Sequence, residues 1–377
     1  MAGPPAQESL LQHPSGPLNF LFIIFTVINN NMPIIQSITG FIQSSLVPFS
    51  VISNIKQQKE FIQKKINPLL EEAKKTTDGS LDENDLKKIT GYYGLAVPAI
   101  LGEAFCALRG KKMTDKERLA STCQGAMTGL GDDFFDKQRL SEAALKDFIE
   151  RPEHFYGNTA SEKLFLHFYK TALANAPRPE LMQEQIYRVF HAQLLSKQQA
   201  GQGLSYEVIK DTTLRKGAES LLYYRTAFEN PLKINEEKML YCLGGLMQLS
   251  NDIFDVYKDH QNGISTLVTT TKKIKELRFL YTALLELGIE AAYKTRYPKK
   301  DIRNFIGIIS IGIFSRCYVC MDQLEKNEKR SGNVFDPMQY QRKDLVCDMD
   351  TVANKWKSLR YHLKISGLPV KPKPPKR

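Results

Sequence analysis

Asn251-Asp252-Ile253-Phe254-Asp255-Val256-Tyr257-Lys258-Asp259 is the stretch on which the reading of this chain turns. On a helix, residues four apart share a face, so Asn251, Asp255 and Asp259 form one stripe more than two turns long, with Asp252 beside it. The preceding Gly244-Gly245-Leu246-Met247-Gln248 is apolar and small, so the helix is expected to be buried as far as the stripe. A buried helix that ends in a line of acids needs a counter-charge, from a metal or from Lys and Arg. A second acidic stretch, Gly131-Asp132-Asp133-Phe134-Phe135-Asp136, lies 119 residues upstream, counted from Asp132 to Asn251. Asp132 and Asp136 again stand at i and i+4, with Asp133 about 100° round the helix. Three carboxylates at one helix end repel one another, and near a C-terminus they oppose the helix dipole. Bound divalent cations would offset both costs. Magnesium suits such an open site, because it prefers carboxylate oxygens, water and phosphate.

The rest of the chain reads as helix. Apolar residues recur at helical spacing from Val51 onward, and no run alternates strictly between turn signals as strands do. Pro68 marks a break, and Asp82 or Ser80 caps the next helix. A helix over 95–109 ends at Gly110, and Thr114 with Glu117 forms a capping box. The helix that follows is rich in small residues (Ala120, Ser121, Gly125, Ala126, Gly129) and carries the Asp132 cluster near its end. Ser141 caps a short helix. Helices are expected over 162–174, 179–199 and 206–228. Asn235 is the expected cap of the helix bearing the second cluster, with Gly263 as the residue just past it. Three more helices are expected over 277–293, 301–329 and 343–363. With no internal repeat and no long linker, the fold class is all-α: one domain of about ten or more helices.

Composition narrows the rest. The chain has 377 residues, 25% of them charged and 42% hydrophobic, as in a folded soluble protein. Its net charge of +11 favours an anionic partner. The basic residues are spread out, except for the tail Lys371-Pro-Lys-Pro-Pro-Lys-Arg377, and no motif supports nucleic-acid binding. Six cysteines in a chain of this length are no disulfide framework, and a reducing cytoplasmic location is expected. Cys317-Tyr-Val-Cys320 lies in an apolar run and reads as buried packing. From Ser9 to Ile55 there is no charged residue, and Phe20–Ile28 is strongly apolar but too short to span a bilayer. Three readings fit: a poorly ordered extension, an arm packing on the core or touching a membrane surface, or a translation start at Met32. The expected division is an extension over 1–50, the helical domain over 51–365 and a basic Pro-rich tail over 366–377.

Together the acidic stretches resemble the two metal-binding motifs of the class I isoprenoid synthase superfamily, which includes terpene cyclases, trans-prenyltransferases and squalene/phytoene synthases. Asp132-Asp133-Phe-Phe-Asp136 resembles the aspartate-rich first motif, and Asn251, Asp255 and Asp259 match the ligand positions of the second. The resemblance implies a helical bundle around a central cavity. It also implies Mg²⁺, three ions with Mn²⁺ as a substitute, held by those six residues, and an allylic prenyl diphosphate that ionises with release of pyrophosphate. Basic side chains would assist the leaving group; the candidates are Arg215, Lys216, Lys258 and the pair Arg360-Tyr361. Phe134, Phe135, Tyr223, Tyr224 and Phe254 are among the aromatic residues available to shield a carbocation. The expected activity is that of a terpene synthase. A prenyl-chain condensing enzyme is the alternative, because terpene cyclases usually carry Ser or Thr where Asp255 stands and Glu where Asp259 stands. A homodimer is a further implication. The contrasting reading is a non-catalytic helical protein whose acids are solvated faces.

Overall fold

The computed structural model describes residues 38–367 except 77, 138–140, 201, 202 and 230; the side chains of 38–45, 132–137, 142 and 145 also lie outside the description. Helix accounts for 79% of the structure, and no strand occurs among the described residues. The longer helices are α1 (Ile38–Lys65), α2 (Asn67–Lys74), α3 (Glu83–Arg109), α4 (Asp115–Lys137), α5 (Glu142–Glu150), α6 (Ala160–Asn175), α7 (Pro179–Ser196), α8 (Tyr206–Arg225), α9 (Glu236–Phe254), α10 (Val256–Gln261), α11 (Ile274–Tyr293), α12 (Lys299–Arg330) and α13 (Val352–Ser366). The fold is all-α.

Local signals account for most helix ends. Pro68 opens α2, where its missing N–H is no loss. Asp82 and Asp85 form the capping box of α3. The Glu117 carboxylate accepts from the Thr114 N–H, and the Thr114 hydroxyl accepts from the Glu117 N–H. Gly110 and Gly263 take the left-handed conformation that their positions past a helix require. Three expectations need correction. Asn235 sits before α9 at φ +65°, but its side chain donates to the Lys294 carbonyl and leaves α9 uncapped. The helix expected over 343–363 is two pieces, a single turn Arg342–Leu345 and α13, because Thr351 caps a new start. The boundary expected at 50/51 falls inside α1, where Val47 and Val51 are both buried. Residues 1–37 and 368–377 lie outside the described residues.

α3 and α12 are each long and apolar enough to cross a membrane, yet 56% and 72% of their apolar windows are buried inside this fold. Both contain π-helical turns: Lys88–Tyr92 and Val97–Gly102 in α3, Ser310–Phe314 in α12. Each such turn inserts one residue and shifts the face of the helix that follows.

Two close crossings set the frame for the acidic stretches. A Cβ on Gly217 of α8 would lie 2.1 Å from the Gly244 carbonyl oxygen of α9, and one on Gly244 would lie 2.5 Å from that of Gly217. The two backbones therefore touch, which no other residue pair would allow. The small-residue face of α4 does the same work against α3: a Cβ on Gly125 would meet the Tyr93 carbonyl oxygen at 2.5 Å.

Candidate active site

Contacts order α4, α8 and α9 from one end to the other. At one end Arg109 pairs with Glu117 in the first turn of α4 (2.8 Å) and reaches Glu229, just past α8 (3.7 Å). At the same end Arg225, the last residue of α8, pairs with Glu236, the first of α9 (2.7 Å). In the last turn of α8, level with the middle of α4, Gln124 of α4 donates to the Tyr223 carbonyl (2.7 Å), and the Thr128 and Tyr224 hydroxyls meet at 2.9 Å. At the far end the Thr213 hydroxyl donates to Asp252 of α9 (3.4 Å). α8 thus runs antiparallel to both neighbours. The last turns of α4 and α9, which carry the two acidic stretches, finish at one end of the bundle.

The side chains of Asp132, Asp133 and Asp136 lie outside the described residues; their backbone is the last part of α4. Around Asn251 the geometry is complete. The expected single helix is bent: α9 ends at Phe254, Asp255 takes φ −95° and ψ 8°, and α10 begins at Val256. The ladder survives the bend, because Asp255 N–H donates to the Asn251 carbonyl (2.9 Å) and Asp259 N–H to that of Asp255 (2.8 Å). Asn251 Nδ2 donates to the Asp255 carboxylate at 3.4 Å, and the Tyr92 hydroxyl donates to Asn251 Oδ1 at 3.4 Å. Tyr92 belongs to the π turn of α3, and Gly129 of α4 packs against Lys88 and Ile89 in that turn. One irregular turn therefore touches both acid-bearing helices.

Asp252 is 4% exposed and accepts from Gln248 (2.9 Å) and Thr213. Burial raises its carboxyl to about 6, against the lowering by those hydrogen bonds and by Lys216. Burial also raises Asp255, opposed by the Lys258 charge and the Asn251 hydrogen bond. Asp259 is pushed up to about 7, first by burial and then by Asp252 and Asp255. Lys258 and Lys216 only partly offset that. The three carboxylates feel one another, and the local cations do not balance them.

Of the basic candidates, Lys216 is half-buried and acts on both Asp252 and Asp259, and exposed Lys258 acts on Asp255 and Asp259. Arg215 is exposed, and its charge is felt instead by Tyr241, beside Asp211 and Glu219. One helical step of about 100° separates it from Lys216 and turns it away. Arg360 is exposed, and the Tyr361 hydroxyl is committed to Asp322 (2.8 Å) while its ring stacks on Tyr318. That pair belongs to the α11–α12–α13 packing, with Arg278 bonded to Asp322 and Glu325.

The sequence reading did not assign roles to Tyr92, Thr213, Gln248, Asp252 or Arg316. Gln248 and Asp252 stand at i and i+4 between the core positions Leu249 and Ile253, a spacing visible in the sequence. Tyr92 left no signal, because its reach to Asn251 depends on the π turn. Arg316 of α12 lies over the Phe254 ring, 5.8 Å from its centre, one residue before the bend.

Among the described residues no three His, Cys, Asp or Glu side chains converge closely enough to hold an ion by themselves. The donors at this end are carboxylate and amide oxygens. A magnesium ion that takes one or two carboxylates and completes its shell with water and phosphate needs no closed cage. The residue types fit that use.

No known protein family, curated protein or solved structure matches this chain.

Proposed function

We propose that this chain is a class I isoprenoid synthase-like enzyme that ionises an allylic prenyl diphosphate and releases pyrophosphate as a terpene synthase does. One observation carries the reading: Asp252, Asp255 and Asp259 crowd together without enough cation, at the bundle end where the other acidic helix also finishes. Solvated surface acids would keep ordinary carboxyls; these three are raised first by burial, and Asp252 and Asp259 also by their acidic neighbours, which argues against a non-catalytic surface.

Asp132, Asp133 and Asp136 on one side and Asn251, Asp255 and Asp259 on the other would hold Mg²⁺, or Mn²⁺ in its place. Bound there, the ions would neutralise diphosphate and make it a good leaving group. Asn251 presents an amide oxygen, and its Nδ2 steadies Asp255. Asp252, deeper and tied to Gln248 and Thr213, is a positioning residue for the stripe. Lys216 and Lys258 would donate to diphosphate oxygens, and exposed Arg316 is within reach of the same end. Tyr223 and Tyr224, buried between α4 and α8, are aromatic faces suited to a cationic hydrocarbon and to excluding water. Prenyl-chain condensation is the second reading, favoured by a carboxylate at Asp255 where cyclases usually carry a hydroxyl.

Incubation with farnesyl or geranylgeranyl diphosphate, with and without Mg²⁺ and with and without a C5 co-substrate, tests both. Metal-dependent pyrophosphate with a hydrocarbon or alcohol product supports the synthase. A longer prenyl diphosphate formed only with the co-substrate supports condensation. No metal-dependent pyrophosphate from any prenyl diphosphate would sink both.

A further inference from the structure

A second cationic feature lies away from the acids. A cleft of about 310 Å³ is formed by the last turns of α12, the single turn Arg342–Leu345 and α13. Its lining includes Lys326, Arg330, Lys343, Lys357, Asp344 and Cys347, and none of the acidic-cluster residues. Lys326 and Arg330 stand at i and i+4 on α12, so one face carries both. Three separate elements thus aim four cations at one hollow.

Convergence on one hollow, more than the lack of an ion pair, sets these four cations apart. Many exposed Lys and Arg pair within their own helix, as in Lys74–Glu71, Arg188–Glu184 and Lys294–Glu290. None of the four has an ion pair among the described contacts. Asp344, the one carboxylate in the lining, accepts from the Gln341 N–H as part of its turn (3.1 Å). Gln323 and Asn327 each donate to the Asp344 carbonyl (2.7 Å), which fixes the turn that presents Lys343. Four cations face one lining carboxylate, and the volume falls at the small end of ligand sites, roughly 300–1,000 Å³.

We infer that this cleft is a binding site for a small phosphate-bearing anion, with Lys326, Arg330, Lys343 and Lys357 as its charged donors. Phosphate oxygens would take the place of the missing counter-ions, and the Arg330 guanidinium can bond two of them at once. Cys347 is a built-in reporter. It is half-buried in the lining, and its thiol is held below the ordinary range by the Cys320 hydrogen bond, against burial, with the Lys357 charge adding to the lowering. An anion in the cleft would cover it.

The test is titration of the full chain with inorganic pyrophosphate by calorimetry, in EDTA so that no metal assists binding at the acids. Wild type is expected to bind, and the double variant Arg330→Ala/Lys343→Ala to bind about tenfold or more weakly. Lys216→Ala should bind as wild type does. Pyrophosphate should also slow iodoacetamide labelling of Cys347, read by peptide mass, in wild type and not in the double variant. A parallel arm uses phosphatidylcholine vesicles containing phosphatidic acid. Capture that depends on Arg330 and Lys343 assigns the phosphate to a lipid headgroup; no capture with pyrophosphate binding intact assigns it to a soluble compound. Equal affinity in wild type and the double variant, or a loss confined to Lys216→Ala, overturns the proposal. Because it uses no metal and no turnover, this outcome is separate from the fate of the enzyme reading.

Discussion

The two ends of the α4–α8–α9 layer handle charge in opposite ways. At one end Arg225 and Glu236, both buried, pair at 2.7 Å, and their remaining polar atoms are used. Glu236 also accepts from the Tyr297 hydroxyl and the Lys233 N–H (each 2.8 Å), and Arg225 donates to the Glu229 carbonyl (2.7 Å). At the other end Asp252 accepts from Gln248 at 2.9 Å, but the bonds from Thr213 to Asp252 and from Asn251 to Asp255 are 3.4 Å, and only Lys216 and Lys258 act on the three acids. Burial alone does not distinguish the ends; compensation does. A buried charge matched by a partner is structure, and one left unmatched is a place where a ligand can complete the balance.

That contrast can be broken at either end. The largest effect is expected at the acids: Asp132→Ala and Asn251→Ala should each lower turnover about a thousandfold, with melting temperature nearly unchanged, as checked by pyrophosphate release and calorimetry. Retained activity in both would remove the catalytic contrast. At the paired end Glu236→Ala leaves Arg225 buried and alone, and should cost about 4 kcal/mol of stability in urea unfolding. Between the ends, Gly217→Ala forces α8 off the Gly244 carbonyl and should cost about 3 kcal/mol. It should also weaken Lys216 and Thr213 as partners of Asp252.

Titration sharpens the comparison further. A carboxyl raised in the folded state holds its proton more tightly there than in the unfolded chain. The stability it contributes is therefore complete below the ordinary value near 4 and is lost as pH rises through about 6 for Asp252 and about 7 for Asp259. At about 1.4 kcal/mol per pH unit, metal-free protein should lose about 3 kcal/mol or more between pH 4 and pH 8, followed by thermal melts. Asp252→Asn should flatten much of that slope. The smallest effect is expected for Tyr92→Phe, under about 1 kcal/mol in stability, because its bond to Asn251 is long and partly exposed.

Much of the helical layout is legible in the sequence, since caps and glycines act locally. Thr114 with Glu117, Ser141, Gly110 and Gly263 all do what their chemistry dictates. The stripe of acids could be read as well, because i+4 spacing is a property of any helix. What escaped was set by distant contacts or by backbone irregularity. The bend at Asp255 and the π turn at Tyr92 carry no residue that demands them. Arg215 and Lys216 look equivalent in sequence, and only the Gly217–Gly244 crossing decides that Lys216 turns toward the acids. Arg360 and Tyr361 are candidates through the resemblance alone, and Asp322 and Tyr318 claim the tyrosine.

The Gly217–Gly244 crossing has a consequence for motion. With no side chain between the two backbones there is no rotamer to hop and no soft layer to compress. Amides near Gly217 and Gly244 should be among the slowest in the molecule to exchange with deuterium. Helices hinged on such a point can swing only at their ends, so what breathes is the acid-bearing end, while the spacing between Thr213 and Asp252 is metered from a fixed fulcrum one to two turns away.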